Sequence, residues 1–278
     1  DLPANAFVYN PFAGLASFGV YLDKNVNYIG QEIDQSTWAI GVLRLLAHGK
    51  SSNCQVLLSD SIYNWQSGNK KYDLIISNPP FGMRLPSHLV EKLSNTQTAE
   101  QFLIEKGIQS LSPDGKMVIC ISQGMLTNSR QGLNLRKQLV DQDLLEMVVN
   151  LPGGLLLNTG IKIAILVINL NKRDKNIVRF IDARNFVASG DGREKILDGS
   201  ALLKLIHSRP EDSENIRVVN TSQIQEFDYN LNVPRYFLKN IDGKKLDCFL
   251  ELLQTRRTNL PEKGKLIRIS DLNDDVLD

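Results

Sequence analysis

The five residues Asn78-Pro79-Pro80-Phe81-Gly82 carry the most specific chemistry in the chain. They follow directly on an apolar run, Tyr72 to Ser77. Two consecutive prolines contribute no N–H, so the segment presents mainly acceptors: the Asn78 side-chain oxygen and the backbone carbonyls. Such a loop suits an N–H₂ group. The exocyclic amine of an aromatic base is a poor nucleophile because its lone pair is delocalised into the ring. Two fixed acceptors on its hydrogens would orient it and stabilise the positive charge that develops on nitrogen during attack. Phe81 adds an aromatic face of the kind on which bases stack, worth about 1–3 kcal/mol per base. A rigid Pro-Pro turn ending a strand is the plain alternative.

Three weaker features accompany it. Asn10 to Phe18, which includes Phe12 and Gly14, is a small-residue turn that lets a ligand approach backbone N–H groups. Glu32 stands 18 residues after Gly14, about where an acid accepts from ribose hydroxyls in dinucleotide-binding folds. Asp60, in Ser59-Asp60-Ser61, is placed to receive an adenine amino group. Each has an ordinary reading as well: a tight turn, a surface carboxylate, a helix N-cap. Their joint placement after successive strands is what chance does not readily supply.

The elements that must position these residues follow from hydrophobic period. Apolar runs at Ala6 to Asn10, Val26 to Glu32, Gln55 to Ser59, Tyr72 to Ser77, Lys116 to Ser122, Leu145 to Leu151 and Lys162 to Asn169 predict seven strands. Helical spacing predicts Gln35 to His48, with Trp38, Val42, Leu45 and Leu46 inward behind Asp34 and Ser36. It also predicts Ala99 to Leu111, with Phe102, Ile104, Ile108 and Leu111 inward and Ser112-Pro113-Asp114-Gly115 as the stop. Strands alternating with helices specify an α/β fold, a mostly parallel, doubly wound sheet. The last two strands are separated by Pro152-Gly153-Gly154 without a clear helix, which predicts a late antiparallel edge element. In an open sheet of this kind, ligands bind outside the carboxyl ends of the strands, and all four features fall there.

Composition bounds the rest. The chain has 278 residues, 42% hydrophobic and 23% charged, average globular usage that excludes a disordered, collagen-like or coiled-coil chain. Cys54, Cys120 and Cys248 are too few and scattered for a disulfide framework or zinc site, so no metal is expected. No apolar run approaches the roughly 18 residues a membrane span needs, and no signal peptide opens the chain, so a cytoplasmic protein is expected. His48, His88 and His207 read as surface or packing residues. Net charge is +1, yet 171–184 carries five basic residues against two acidic, and 255–268 five against one. Such windows can contact phosphates, or simply face solvent. Leu246 to Leu253 reads as a short amphipathic helix and Leu266 to Ile269 as a strand.

With these residues in view, the chain resembles the N6-adenine DNA methyltransferases, in particular the modification subunits of type I restriction-modification systems. The resemblance covers about residues 7–240. It implies S-adenosyl-L-methionine as cofactor, with Asn10, Phe12 and Gly14 in the cofactor loop, Glu32 and Ile33 in Gly30-Gln31-Glu32-Ile33 at the ribose, and Asp60 with Ser61 at the adenine. It implies Asn78, Pro79, Pro80 and Phe81 as the catalytic tetrapeptide. Further matches are Phe102 to Ser122, Leu135 to Leu139, and Leu151-Pro152-Gly153-Gly154 followed by Asn158-Thr159-Gly160-Ile161-Lys162. The chain departs from the family pattern at Asn10, where an Asp is usual, and at Leu15 and Ala16, where a Gly-Thr-Gly or Gly-Ser-Gly core is usual. The family also places a helical domain and a cofactor-binding segment upstream, so a piece of a longer protein is expected. The implied partners are double-stranded DNA and a specificity subunit or fused target-recognition domain. The implied organisation is a catalytic core over 1–188, an extension of it over 189–240, and a linker with the start of a recognition region over 241–278. The same tetrapeptide would also serve a methyltransferase for a protein glutamine amide or an RNA exocyclic amine, and a non-catalytic DNA-recognition or assembly module is a further alternative.

Overall fold

The computed structural model describes residues 2–66, 71–90, 96–127, 132–156, 160–189, 195–208 and 212–238. Along the chain run β1 (Phe7–Asn10), α1 (Ser17–Tyr21), β2 (Asn27–Glu32), α2 (Gln35–Ala47), β3 (Cys54–Leu58), β4 (Tyr72–Ser77), α3 (Ser87–Val90), α4 (Ala99–Ser110), β5 (Leu111–Ser122), α5 (Gly124–Thr127), α6 (Leu133–Asp141), β6 (Leu145–Asn150) and β7 (Ile163–Asn169). There follow β8 (Ile177–Asp182), β9 (Val187–Ser189), β10 (Lys195–Leu197), α7 (Gly199–Ser208), β11 (Ile216–Asn220), α8 (Thr221–Glu226) and a 3₁₀ turn, Val233–Phe237.

One sheet has the order β11-β8-β6-β7-β5-β4-β1-β2-β3. Strands β1 to β5 pair in parallel, as do β6 and β8. β7 runs antiparallel between β5 and β6, and β11 antiparallel to β8. The α/β, mostly parallel fold class is therefore as expected, and the seven expected strands are all present, but the late antiparallel strand expected at an edge is corrected: β7 inserts between β5 and β6, bonded on both sides, and the antiparallel edge strand is β11. Among the described residues the count in this sheet is corrected upward to nine, and β9 and β10 form a separate antiparallel pair. β8 has a basic and an acidic residue in six, and β11 is only five residues long in a polar stretch, so neither shows a clean apolar period. The strand expected at Leu266 to Ile269 and the helix at Leu246 to Leu253 lie outside the described residues.

Strands β1, β2 and β3 are laid out in one direction and β4 then pairs on the other side of β1. This reversal opens a crevice at the carboxyl ends of β1 and β4. The sheet is held by burial on both faces. Tyr9, Ile75, Met117, Ile119 and Ile121 are almost wholly buried together with Leu103 and Ile104 of α4. Val8, Tyr28 and Val56 pack with Leu45 of α2. α2 begins where expected, because the Asp34 carboxylate accepts from Thr37 N at 2.8 Å, an interaction that also lowers the Asp34 pKa. Its inward stripe is narrower than expected. Leu46 is exposed, since it lies about 100° round the helix from Leu45. α4 starts in a capping box formed by Thr98 and Gln101 and runs directly into β5, with Ser112 to Gly115 inside the first part of that strand and not between elements.

The basic window at 171–184 divides. In the ladder between β5 and β7, Lys116 pairs with Asn169, while Ser122 at the carboxyl end of β5 pairs with Ile163. The turn after β7 therefore sits at the sheet edge opposite the crevice, about 20 Å away for a seven-residue strand. There Lys172 is paired with Asp143, and Arg179 lies 3.7 Å from Glu146. Arg184 reaches the crevice side, but forks onto Asp182 with its closest contact at 2.6 Å. The window at 255–268 lies outside the described residues. No described helix is long and apolar enough to cross a membrane.

Candidate active site

The crevice holds an open cleft of about 160 Å³, lined by Pro11, Phe12, Gln31, Glu32, Ile33, Ser59, Asp60, Ser61, Ile62, Pro80 and Met83. The sequence features around Asn10, Glu32 and Asp60 thus converge, and the tetrapeptide joins them through Pro80.

The first loop is built to lie flat on β2. Gly14 has φ +53°, a conformation that side chains rarely adopt, and its N–H donates to Glu32 Oε2 at 2.9 Å. Gly30 sits beneath the loop, where a Cβ would come within 2.9 Å of Ala13 Cβ and 3.0 Å of the Tyr28 hydroxyl. Glu32 Oε1 accepts from Asp34 N at 2.8 Å. Each carboxylate oxygen retains a lone pair for a further donor. Asp60 accepts from Ile62 N at 2.8 Å through one oxygen, and the Ser61 hydroxyl donates to the Pro11 carbonyl. Ser61 is therefore a brace between the two loops, buried in the cleft wall. Ile33 is 67% exposed at the mouth, and Phe12 is half-buried.

Asn10 is placed differently from a ligand-facing residue. It is fully buried, and its amide is best satisfied with Nδ2 donating to the carbonyls of Phe12 at 3.1 Å and Ile76 at 3.0 Å, and Oδ1 accepting from the Tyr28 hydroxyl at 3.2 Å. It ties the end of β1 to the end of β4. An acid could make neither donation, which accounts for an amide at this position. Burial pushes the Tyr28 and Tyr9 phenols up, so both stay protonated as donors. Tyr9 donates to Gln31 Oε1, and Gln31 Nε2 donates to the Asn64 carbonyl at 3.0 Å, which anchors the segment after β3.

In the tetrapeptide, Asn78 is exposed and Pro79 buried. Neither the Asn78 amide nor the Pro79 carbonyl takes a hydrogen bond among the described residues, whereas the Pro80 carbonyl accepts from Met83 N. Phe81 is half-buried against the cluster containing Leu151 and Ile163. Glu100, which sequence reasoning passes over as a first-turn helix acid, is 1% exposed and accepts from Gly82 N at 3.0 Å and Ser122 N at 2.7 Å. Gln31 was likewise missed; its signal is a polar residue on the strand face it shares with Ile29. No cluster of groups able to hold a metal occurs among the described residues.

The profile described as N-6 DNA Methylase matches residues 6–243. The chain is 26% identical over 282 residues to the type I restriction enzyme MpnII methylase subunit of Mycoplasma pneumoniae, covering 90% of this chain and 50% of that protein. It is 30% identical over 203 residues to the HindI methylase subunit of Haemophilus influenzae, covering 66% and 45%. The chain thus spans about half the length of the curated relatives it matches. In fold it is similar to a type I restriction-modification methyltransferase subunit from Streptococcus thermophilus, with TM-score 0.75 and 23% identity over 84% of this chain and 54% of that one.

Proposed function

The chain belongs to the N-6 DNA methylase family, and from that membership we propose that it transfers a methyl group from S-adenosyl-L-methionine to N6 of adenine in DNA, as the modification component of a restriction-modification system. The observation that carries the reading is the pair of free acceptors, Asn78 Oδ1 and the Pro79 carbonyl, in a donor-poor loop at the rim of the cleft.

The donor set fits the cofactor. A carboxylate with spare lone pairs, Glu32, suits two ribose hydroxyls; the second oxygen of Asp60 suits an amino group; Ile33, Phe12 and Ile62 supply apolar walls for a planar base. When bound, the cofactor supplies an electron-poor methyl on a positively charged sulfur. The protein's share is positioning. Asn78 Oδ1 and the Pro79 carbonyl accept the two amine hydrogens, aim the nitrogen lone pair and stabilise charge as it grows there. No side chain need act as a strong base, since the amine proton becomes acidic only as nitrogen gains charge. Phe81, anchored on its buried side, offers its remaining surface to the target base, which must leave the duplex to reach the cleft. Asn10 and Ser61 hold β1, β4 and the Asp60 loop in register. The reading assigns the catalytic core to residues 1–188 with 189–240 extending it, a recognition region beginning after 241, double-stranded DNA and a specificity subunit or fused recognition domain as partners, and a cytoplasmic location.

The test is methyl transfer by the full-length protein with its specificity partner. Substrates are an adenine-containing duplex, a duplex whose accessible amines are all cytosine, an RNA and a glutamine-containing peptide. Transfer to the adenine duplex alone is expected, and Asn78→Ala should lower its rate about 10²–10³-fold, as loss of one charge-stabilising partner does elsewhere. Transfer confined to peptide or RNA would refute the DNA assignment, and near-normal DNA methylation by Asn78→Ala would reduce the tetrapeptide to a turn.

A further inference from the structure

The tetrapeptide's two working acceptors belong to a segment that anchors itself poorly. With Pro79 and Pro80 giving no N–H, Asn78 carries the one backbone donor of the segment Asn78 to Pro80. Its upstream end is fixed by the pairing of Ser77 with Ile119 of β5. Its downstream end is held by the start of α4: Gly82 N donates to Glu100 Oε2 at 3.0 Å, Ala99 N to the Met83 carbonyl at 2.9 Å, and Leu85 N to the Gln97 carbonyl at 2.9 Å. The other oxygen of Glu100 accepts from Ser122 N at 2.7 Å, at the carboxyl end of β5. One buried carboxylate therefore bridges the residue after Phe81 to the last residue of the neighbouring strand. Both its oxygens are engaged with backbone, so its own geometry is fixed, and the helix start that carries it is locked by the reciprocal Thr98 and Gln101 bonds.

We propose that Glu100 is the positioning residue of the catalytic loop: it sets the distance between the tetrapeptide and the end of β5, and thereby the place of Asn78 Oδ1 and the Pro79 carbonyl over the cleft. This rests on the proposed methyl transfer. Glu100 is not among the residues that line the cleft, and its two carboxylate oxygens accept from backbone N–H groups. Its removal leaves the acceptors present but loosely aimed. Misplacement of a reacting group by about 1 Å costs on the order of 10²-fold in rate.

The experiment compares Glu100→Ala and Glu100→Gln with the unaltered full-length protein in complex with its specificity partner. Single-turnover methylation, calorimetric titration with S-adenosylmethionine and amide hydrogen exchange at Gly82 and Ser122 are read in parallel. Glu100→Ala is expected to slow methyl transfer about a hundredfold, with cofactor affinity kept within about threefold and exchange faster at both amides. Glu100→Gln keeps one acceptor in the same shape and is expected to recover to within about tenfold of the unaltered rate, with exchange faster at one amide only. The proposal is overturned if Glu100→Ala methylates normally, if cofactor affinity falls in step with the rate, which is the mark of general loosening, or if neither amide changes its exchange. Should Glu100→Ala fail to fold, Glu100→Gln decides: a normal rate with unchanged exchange overturns the clamp. An unaltered protein that transfers no methyl to DNA adenine overturns the proposed function and the catalytic meaning of the clamp with it, and the exchange data then decide alone whether Glu100 holds the loop.

Discussion

Replacing Glu32 by Ala separates the role of this carboxylate in the fold from its role toward the cofactor. In the structure it accepts from two backbone donors, Gly14 N at 2.9 Å and Asp34 N at 2.8 Å. Both bonds lie at a partly exposed rim, where water can replace the lost acceptor. The cost to folding is therefore small, about 1 kcal/mol or less. The cost to binding is larger, because the two remaining lone pairs are the ones assigned to the ribose hydroxyls. A hydrogen bond to a charged group is worth about 1.5–3 kcal/mol. At a site open to solvent the lower end applies, and two such bonds then give a ceiling of about 3 kcal/mol, with one surviving in part through water. Since 1.4 kcal/mol is about tenfold, affinity should fall between about tenfold and 150-fold. Glu32→Gln, which keeps one oxygen, should fall between Ala and the unaltered protein. Calorimetric titration with S-adenosylmethionine at constant pH measures both. A dissociation constant for Glu32→Ala within about threefold of the unaltered value refutes the assignment of Glu32 to the ribose.

Gly30→Ala introduces a Cβ 2.9 Å from Ala13 Cβ and 3.0 Å from the Tyr28 hydroxyl, so the first loop must lift from β2; a loss of about 1–3 kcal/mol in urea unfolding is expected, together with weaker cofactor binding. Burial pushes the Cys120 thiol up to about 11 from 9.0, so the folded chain retains a proton that the unfolded chain releases, and this contribution to stability is intact below about pH 9 and lost as pH rises toward 11. At pH 10 the loss is on the order of 1 kcal/mol, and Cys120→Val should remove that part of the pH dependence of the urea midpoint while native Cys120 resists iodoacetamide at pH 8.

The readable part of the molecule was the part governed by local pattern. Seven strands and the helices over 35–47 and 99–110 follow from apolar spacing, and for the first helix from the cap Asp34. The convergence of Phe12, Glu32, Ile33, Asp60 and Pro80 on one cleft follows from strands that end at a common edge. What was hidden depends on contacts across the chain. Glu100 sits in the first turn of a helix like many surface acids, and only the approach of Gly82 and Ser122, 18 and 22 positions away, gives it a buried bridging role. Asn10 reads as a ligand residue in the loop, yet its partner Ile76 lies 66 positions on, beneath the site. β8 is obscured in the sequence because Arg179 and Asp182 interrupt its apolar residues, and its parallel pairing with β6 and antiparallel pairing with β11 make it a strand.

The reversed seventh strand has a consequence for how the protein comes into being. β7 lies between β5 and β6 and bonds to both, so the middle of the sheet has no continuous ladder until Asn169 has been made. During synthesis from the amino end, the half bearing the cofactor loops and the tetrapeptide is present early, with β5 a bare edge of Val118, Ile119, Cys120 and Ile121. Pairings of this separation are slow to form, and bare apolar edges recruit other chains. The nascent chain thus carries its future catalytic residues for more than ninety positions, from Asn78 to Asn169, before the strand that seals the sheet arrives, and that interval is where chaperones would find their hold.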